Sequence, residues 1–471
     1  MMEMLNGGGG RPVGNTECSW CRAVPGGTGI AVLTILLSKN PGVPLLQRAL
    51  EKLQDLQPIL RSKLRHVKST SSYHLVVQSS PSVHINVFDL AASRRILGAD
   101  GLEGEDRSSL HLVLEHELNC NSWDFHEGTN KEEEERVLHA SVYELPEGKW
   151  ALALRLHVVA CDRRTAVSVL EELLVLAAQE EGVTNEETRQ GIQPCIEDVM
   201  PSGYLCRKGL LGRGVNLLNY SMSSLRLSNL KFDNAGSPRA SRVVRMTLSA
   251  EHTTKILSKC RTRGIKLCGV LAASALLTAY DIETGGVVSN KKRTGKKYGV
   301  VTLVDCRSLL DPPLTRRDLG FYHSAILNTH HLKGRETLWD TASKAYSALR
   351  SSKEEGKHFA DMADLNFLMC KAIDNPGITP SSSLRTSLVS VFEDPVTDDF
   401  RDARARLGVE DYMGCASVHG IGPSLAIFDT VREGSMDCVC VFPAPLHSTK
   451  RMQEFADRMR AALVDAAAAA H

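Results

Sequence analysis

The stretch "ALALRLHVVACDRR", residues 151–164, joins an apolar run to two chemically active side chains. His157 closes the apolar run, and Asp162 follows it in the chain. With "RVLHASVYEL" (136–145) and the Pro-Glu-Gly segment between them, this run predicts a β-hairpin, because two alternating apolar runs flank a turn. The sequence "TAVSVLEELLVLAAQ" (165–179) predicts an amphipathic helix directly afterwards. We therefore expect a strand that ends at a histidine and leads through an acidic loop into a helix.

Composition restricts the class of protein. The chain has 471 residues, enough for two or three core-forming units, and 42% of them are hydrophobic. With 56 basic and 55 acidic residues, the net charge of +1 gives no electrostatic argument for nucleic acid or an anionic membrane. The 13 cysteines are odd in number and irregularly spaced, and no secretory leader is evident, so we expect reduced thiols and a cytoplasmic location. The early apolar segment "GIAVLTILL" is too short for a membrane span.

Alternating strand and helix patterns fill the rest of the chain. A buried strand is predicted over 29–38, and a helix follows Pro44. The charged run "KEEEER" (131–136) predicts a solvated face or loop, and "GVVSNKKRTGKKYG" (286–299) predicts an exposed loop. The expected class is α/β (α+β), in two similar halves. We predict a disordered N-terminus, a first subdomain, a crossover linker and a second subdomain, at 1–22, 23–185, 186–240 and 241–471.

Several stretches, in order, carry a resemblance to a known family. They are "LLQRALEKLQDLQPILRSKL" (45–64), "LRLHVVACDRRTAVSVLEELL" (154–174), "RGIKLCGVLAASALLTAY" (263–280), and "VTLVDCRSLLDPP" (301–313) followed by "GFYHSAI". The chain resembles the coenzyme A-dependent acyltransferase superfamily, which includes condensation domains of peptide synthetases, alcohol acetyltransferases and plant BAHD acyltransferases. The Asp-Phe-Gly-Trp-Gly segment of the BAHD branch is absent from the sequence, which favours the other two branches.

The resemblance implies a fold and a set of ligands. The fold would be two chloramphenicol-acetyltransferase-like subdomains with a tunnel between them, entered by donor and acceptor from opposite faces. Acyl-CoA would be a co-substrate, with no permanently bound cofactor and no metal. The partners would be a small-molecule acyl donor and acceptor, with a carrier protein as a further donor source.

Family chemistry depends on a His-His-x-x-x-Asp-Gly motif, whose second histidine is the general base. When the sequence is aligned on Asp162, His157 takes the first histidine, Val158 takes the base position and Arg163 takes the glycine. Valine cannot accept a proton. In a second register His157 is the base and Cys161 replaces the aspartate. The sequence leaves both registers open.

Other residues complete the candidate site. The resemblance implies that Asp162 braces its loop, with Arg307 of the Asp305-x-Arg307 segment as a candidate partner, although Arg163 and Arg164 compete for that role. His323, on a strand that lines the tunnel in the family, is a candidate substitute base. Two functions are expected as alternatives. The chain transfers an acyl group from a thioester to a hydroxyl or amine, or, because Val158 occupies the base position, it is a catalytically impaired homologue that acts as a binding or regulatory protein.

Overall fold

The computed structural model describes residues 10–98, 107–125, 133–178, 191–205, 227–285, 295–397 and 401–469. The chain divides into two compact units. The first comprises Met1–Val199, Leu310–Tyr322 and Asp399–Ser417. The second comprises Met200–Leu309, His323–Asp398 and Val418–His471. The subdomain boundaries expected from the sequence stay a prediction, since nearly half of the expected linker, at 186–190 and 206–226, lies outside the described residues.

Helices and strands alternate through both units. The strands are β1 Arg11–Pro12, β2 Thr28–Leu37, β3 Ser62–Val67, β4 Ser72–Val77, β5 Ile85–Phe88, β6 Glu133–Arg136, β7 Leu138–Glu144, β8 Trp150–His157, β9 Ala240–Leu248, β10 Lys296–Asp305, β11 His323–Leu332, β12 Arg385–Phe392, β13 Val396–Thr397, β14 Val409–Val418, β15 Gly422–Arg432 and β16 Ser435–Ala444. The helices are α1 Asn15–Ala23, α2 Val43–Leu56, α3 Leu90–Gly98, α4 Ser109–Asn119, α5 Arg163–Ala178, α6 Ser202–Leu205, α7 Ala250–Arg263, α8 Leu267–Thr284, α9 Leu338–Glu354, α10 Lys357–Ala360, α11 Met362–Asp374, α12 Arg401–Leu407 and α13 Thr449–Ala468.

A five-stranded sheet of order β14-β2-β8-β7-β5 forms the centre of the first unit. Strands β2, β8 and β7 are antiparallel neighbours, which confirms the hairpin predicted around the Pro-Glu-Gly turn. Successive side chains of a strand point to opposite faces. Leu154 and Leu156 of β8 therefore share one face, and they join the apolar core with Leu50 of α2 and Leu170 of α5. Arg155 and His157 lie on the other face.

A second sheet of the first unit, β1-β4-β3-β6, corrects one sequence expectation. The run "KEEEER" is predicted as a solvated face or loop, and its residues 133–136 form an edge strand instead. Strand β6 pairs with β3, whose basic side chains offset the acidic ones. Lys68 lies 3.1 Å from Glu133, and Arg65 is paired with Glu134. Opposite charges across neighbouring strands stabilise a pairing that charge content alone disfavours.

The N-terminal segment corrects a second expectation. Residues 10–22, predicted to be disordered, include β1 and most of α1. Arg11 forms an ion pair with the buried Glu17 at 2.6 Å, and Glu197 accepts hydrogen bonds from the amide and hydroxyl of Thr16. The ion pair within the segment and the bonds to Glu197, 181 residues later, hold it in place. The glycine run before the segment does not indicate these contacts.

A seven-stranded mixed sheet forms the centre of the second unit, in the order β11-β10-β12-β15-β16-β9, with β13 paired to β15. Strands β15 and β16 form an antiparallel hairpin with Gly434 in its turn. Helix α8 (Leu267–Thr284) is long and apolar enough to cross a membrane, but 72% of that window is buried within the protein. Most of this helix therefore packs against other elements of the second unit. Most of the loop predicted at 286–299 lies outside the described residues.

Candidate functional site

The candidate site begins where strand β8 ends. His157 is the last residue of the strand; its amide donates to the Val137 carbonyl at 2.9 Å, and it pairs with Ile30 of β2. A single 3-10 turn, Val158–Ala160, then changes the chain direction. Asp162 follows and α5 begins at the next residue. The strand–turn–helix unit predicted from the sequence is therefore present, and it sets the position of each motif residue.

The imidazole of His157 is enclosed by protein. It is 0% exposed, and the Trp123 ring packs against it edge to face, with centroids 5.3 Å apart and planes at 81°. The Trp123 indole is itself held by a 2.8 Å hydrogen bond to the carbonyl of Arg136. Burial lowers the pKa of His157 to about 3, because a charged ring would lose its hydration there. The ring is therefore neutral at neutral pH.

The two ring nitrogens of His157 have different surroundings. Nδ1 accepts a 3.0 Å hydrogen bond from the amide of Val159, so the proton of the neutral ring belongs on Nε2. Nε2 is buried and has no hydrogen-bond partner among the residues that the structure describes. The lone pair of Nδ1 is therefore occupied by the Val159 amide, and Nε2 carries the ring proton. In this arrangement His157 caps the 3-10 turn and offers no basic site.

Val158 faces strand β2 and helix α1. A Cβ placed on Gly29 would lie 2.8 Å from Val158 Cγ1 and 3.2 Å from the indole of Trp20, so glycine is the residue that leaves room for this side chain. Val158 is 6% exposed. An isopropyl group can pack against a substrate but cannot take its proton.

Asp162 joins two segments of the first unit through its carboxylate. Oδ1 accepts the amide of Thr165 at 2.8 Å and so caps α5. Oδ2 accepts the amide of Tyr322, also at 2.8 Å. The backbone of Gly320 adds two further bonds, since its carbonyl accepts from the Asp162 amide at 3.2 Å and from the Thr165 hydroxyl at 2.9 Å. These contacts make Asp162 a brace for the loop after the strand.

The remaining candidates belong to the second unit. Asp305 ends β10, and its carboxylate lies 3.0 Å from the guanidinium of Arg307. His323 begins β11 directly opposite Asp305 in the antiparallel register. Its ring is 6% exposed and packs 5.8 Å from that of Phe392. The expected partnership of Arg307 with Asp162, and the roles of these residues in catalysis, stay predictions.

Sequence reasoning missed the residues that decide the state of His157. Trp123 precedes it by 34 positions and lies after α4, in a segment that the sequence marks only as a loop. Gly29 is the second residue of β2, where its φ of +97° disfavours any other side chain. A lone tryptophan in a polar loop is the one signal that points to a buried contact.

Comparison with known proteins gives matches at the level of structure alone. No protein-family model matches the chain, and no curated protein matches its sequence. Polyketide synthase associated protein 5 from Mycobacterium tuberculosis superposes with a TM-score of 0.62 at 18% identity, over 97% of this chain and 98% of that one. TRI3 trichothecene 15-O-acetyltransferase from Fusarium sporotrichioides gives 0.69 at 11% identity, over 96% and 94%.

The cyclization-docking bidomain of the peptide synthetase EpoB from Sorangium cellulosum gives a TM-score of 0.63 at 13% identity, over 98% of this chain and 86% of that one. Identities this low establish a shared fold and leave chemistry open. The chain therefore has the mixed α/β fold of the condensation-domain and coenzyme A-dependent acyltransferase proteins.

Proposed function

We propose that the chain transfers an acyl group from a thioester, either acyl-CoA or a carrier-bound acyl group, to a hydroxyl or amine. The observation that supports this most directly is the brace at Asp162, whose carboxylate holds the loop between β8 and α5 through the amides of Thr165 and Tyr322. The fold shared with an acetyltransferase and a peptide-synthetase domain supports the same class of reaction.

The reaction needs a group that takes up one proton. The acceptor's oxygen or nitrogen forms a bond to the thioester carbonyl carbon, the carbon–sulfur bond breaks, and the acceptor's proton passes through a base to the departing thiolate. His157 offers no basic nitrogen where it lies, since Val159 occupies its Nδ1. We assign the base to His323, because it directly follows Tyr322, whose amide the Asp162 carboxylate holds. In this proposal His157 positions the turn.

The test uses the purified full chain with a panel of acyl-CoA donors and of alcohol and amine acceptors, with the acylated product measured by mass spectrometry. His323→Asn is expected to lower turnover by about 10²–10⁴-fold, the usual worth of a positioned base. His157→Asn keeps an acceptor for the Val159 amide and is expected to stay within a few-fold of the unmodified chain. His84→Asn, at an exposed histidine of the first unit, is the matched control.

Two outcomes would overturn parts of this proposal. Full activity of His323→Asn together with an inactive His157→Asn would make His157 the base and favour the register with Cys161 at the aspartate position. Absence of turnover with every pair, in the unmodified chain and in Val158→His, would leave the impaired binding homologue as the function. The cytoplasmic location and the carrier-protein partner stay part of the proposal.

A further inference from the structure

The second unit contains a cavity of about 490 Å³ that the proposed reaction does not use. It lies among α6, the turn after β10, helices α9 and α10, and the end of β12. All of its lining residues belong to the second unit. The volume falls in the range of small-molecule sites, which run from about 300 to 1,000 Å³.

Aromatic rings form much of the wall. The rings of Tyr204 and Phe359 are 5.2 Å apart, and those of His358 and Phe359 are 4.4 Å apart. Tyr346 contributes a further ring to the lining. These rings can make offset or tilted contacts with a flat aromatic ligand, which are favourable. Burying the ligand's ring also removes a large apolar area from water, which favours binding.

The charges around the cavity favour an anionic group at its rim. Glu393 is the buried carboxylate, and it is neutralised by Lys353 at 2.7 Å and Lys266 at 2.9 Å. Arg350 is 63% exposed, and its ion pair with Glu354 is long, at 3.7 Å, and solvated. Such a pair contributes little. The Arg350 guanidinium is therefore available to a ligand carboxylate, which it can bind through two parallel hydrogen bonds.

His358 supplies the second polar group. It is buried, and its Nδ1 has no hydrogen-bond partner among the residues that the structure describes. Burial lowers its pKa, and the nearby charge of Lys353 acts in the same direction. A neutral imidazole has one donor and one acceptor nitrogen. A hydroxyl group both donates and accepts, so it suits either tautomer of this ring.

We propose that this cavity binds a flat aromatic carboxylic acid that carries a ring hydroxyl. The rings of Tyr204, Tyr346 and Phe359 hold the aromatic body, Arg350 binds the carboxylate, and His358 bonds to the hydroxyl. This inference does not rest on acyl transfer, and its test contains no thioester.

The experiment titrates the full chain with three naphthalene probes and follows their fluorescence. The probe 6-hydroxy-2-naphthoate carries both polar groups, 2-naphthoate lacks the hydroxyl, and 2-naphthol lacks the carboxylate. We expect saturable one-to-one binding of the first probe. Arg350→Gln is expected to weaken both carboxylates by roughly three- to tenfold and to leave 2-naphthol unchanged. Arg261→Gln, at an exposed arginine of α7, is the matched control.

The His358 contact has its own variants. His358→Phe keeps a ring but no nitrogen, and it is expected to weaken the two hydroxyl probes about threefold to tenfold and spare 2-naphthoate. If His358→Phe does not fold, His358→Gln replaces it in the comparison of the hydroxyl probes with 2-naphthoate. Lack of saturable binding of 6-hydroxy-2-naphthoate would overturn the proposal. Saturable binding that neither Arg350 nor His358 variants alter would also overturn it, because the probe would then lie elsewhere.

Discussion

Replacing Asp162 by alanine tests the brace at the end of β8. The change removes the cap of α5 at Thr165, worth about 1–2 kcal/mol, and leaves the buried amide of Tyr322 without its partner, which costs about 1–3 kcal/mol more. We expect the free energy of unfolding to fall by about 2–5 kcal/mol. Asp162→Asn keeps one acceptor oxygen and is expected to lose roughly half as much.

Urea unfolding followed by tryptophan fluorescence measures this loss in the first unit. Three of the four tryptophans, Trp20, Trp123 and Trp150, lie in that unit, and a Trp339→Phe background removes the signal of the second. Ser108→Ala removes an exposed cap of α4 in the same unit, whose hydroxyl accepts a 3.4 Å bond from a backbone amide, and it should cost about 1 kcal/mol. An Asp162→Ala chain no less stable than this control would refute the brace.

Three further predictions use the same urea titration. The pKa of His157 is lowered to about 3 in the folded chain against about 6.5 unfolded, so unfolding takes up a proton as the pH drops from 6.5 towards 3. This residue should therefore lower stability by about 1.4 kcal/mol per pH unit, in addition to the other buried histidines. His157→Asn should reduce the measured slope by that amount, and an unchanged slope would contradict the lowered pKa. Arg155→Met should lower the free energy of unfolding by about 3–5 kcal/mol, because it leaves the buried carboxylate of Glu117, 2.8 Å away, without its ion-pair partner. Adding Glu117→Gln should restore part of the loss, and equal stability of the single and double variants would contradict this. Gly29→Ala should lower the free energy of unfolding by roughly 1–3 kcal/mol, through its φ of +97° and its clash with Val158. Adding Val158→Ala should relieve the clash but not the backbone strain. A Gly29→Ala chain as stable as the unmodified one would show that the turn adapts.

The elements that the sequence predicts well are those whose signal is local. Alternation around the Pro-Glu-Gly turn predicts β7 and β8, and the apolar spacing after Asp162 predicts α5. Strand β6 was missed because its pairing depends on basic side chains in and directly after β3, 65 or more residues earlier in the chain. The charge of the segment itself predicts an exposed loop, and the basic side chains that offset this charge become visible only when β3 is placed beside β6.

The candidate site was less predictable for a similar reason. The order of His157, Val158 and Asp162 is readable from the sequence, and so is the inability of valine to act as a base. The protonation of His157 depends instead on the Val159 amide within its own turn and on Trp123 from a separate loop. Neither contact follows from residue spacing. The alternation of side chains along a strand ends at His157, where the 3-10 turn begins, so it no longer predicts which groups contact the ring.

The first unit's central sheet also has a consequence for synthesis on the ribosome. Its edge strand β14 supplies the Met413 carbonyl that accepts a bond from Thr34 of β2, 379 residues earlier. At about 5–20 residues per second, translation leaves that edge of β2 open for roughly 20–75 s. An unpaired apolar strand is a template for aggregation, so the nascent chain is exposed to that hazard until β14 emerges. Expression of residues 1–199 alone would leave this edge open permanently.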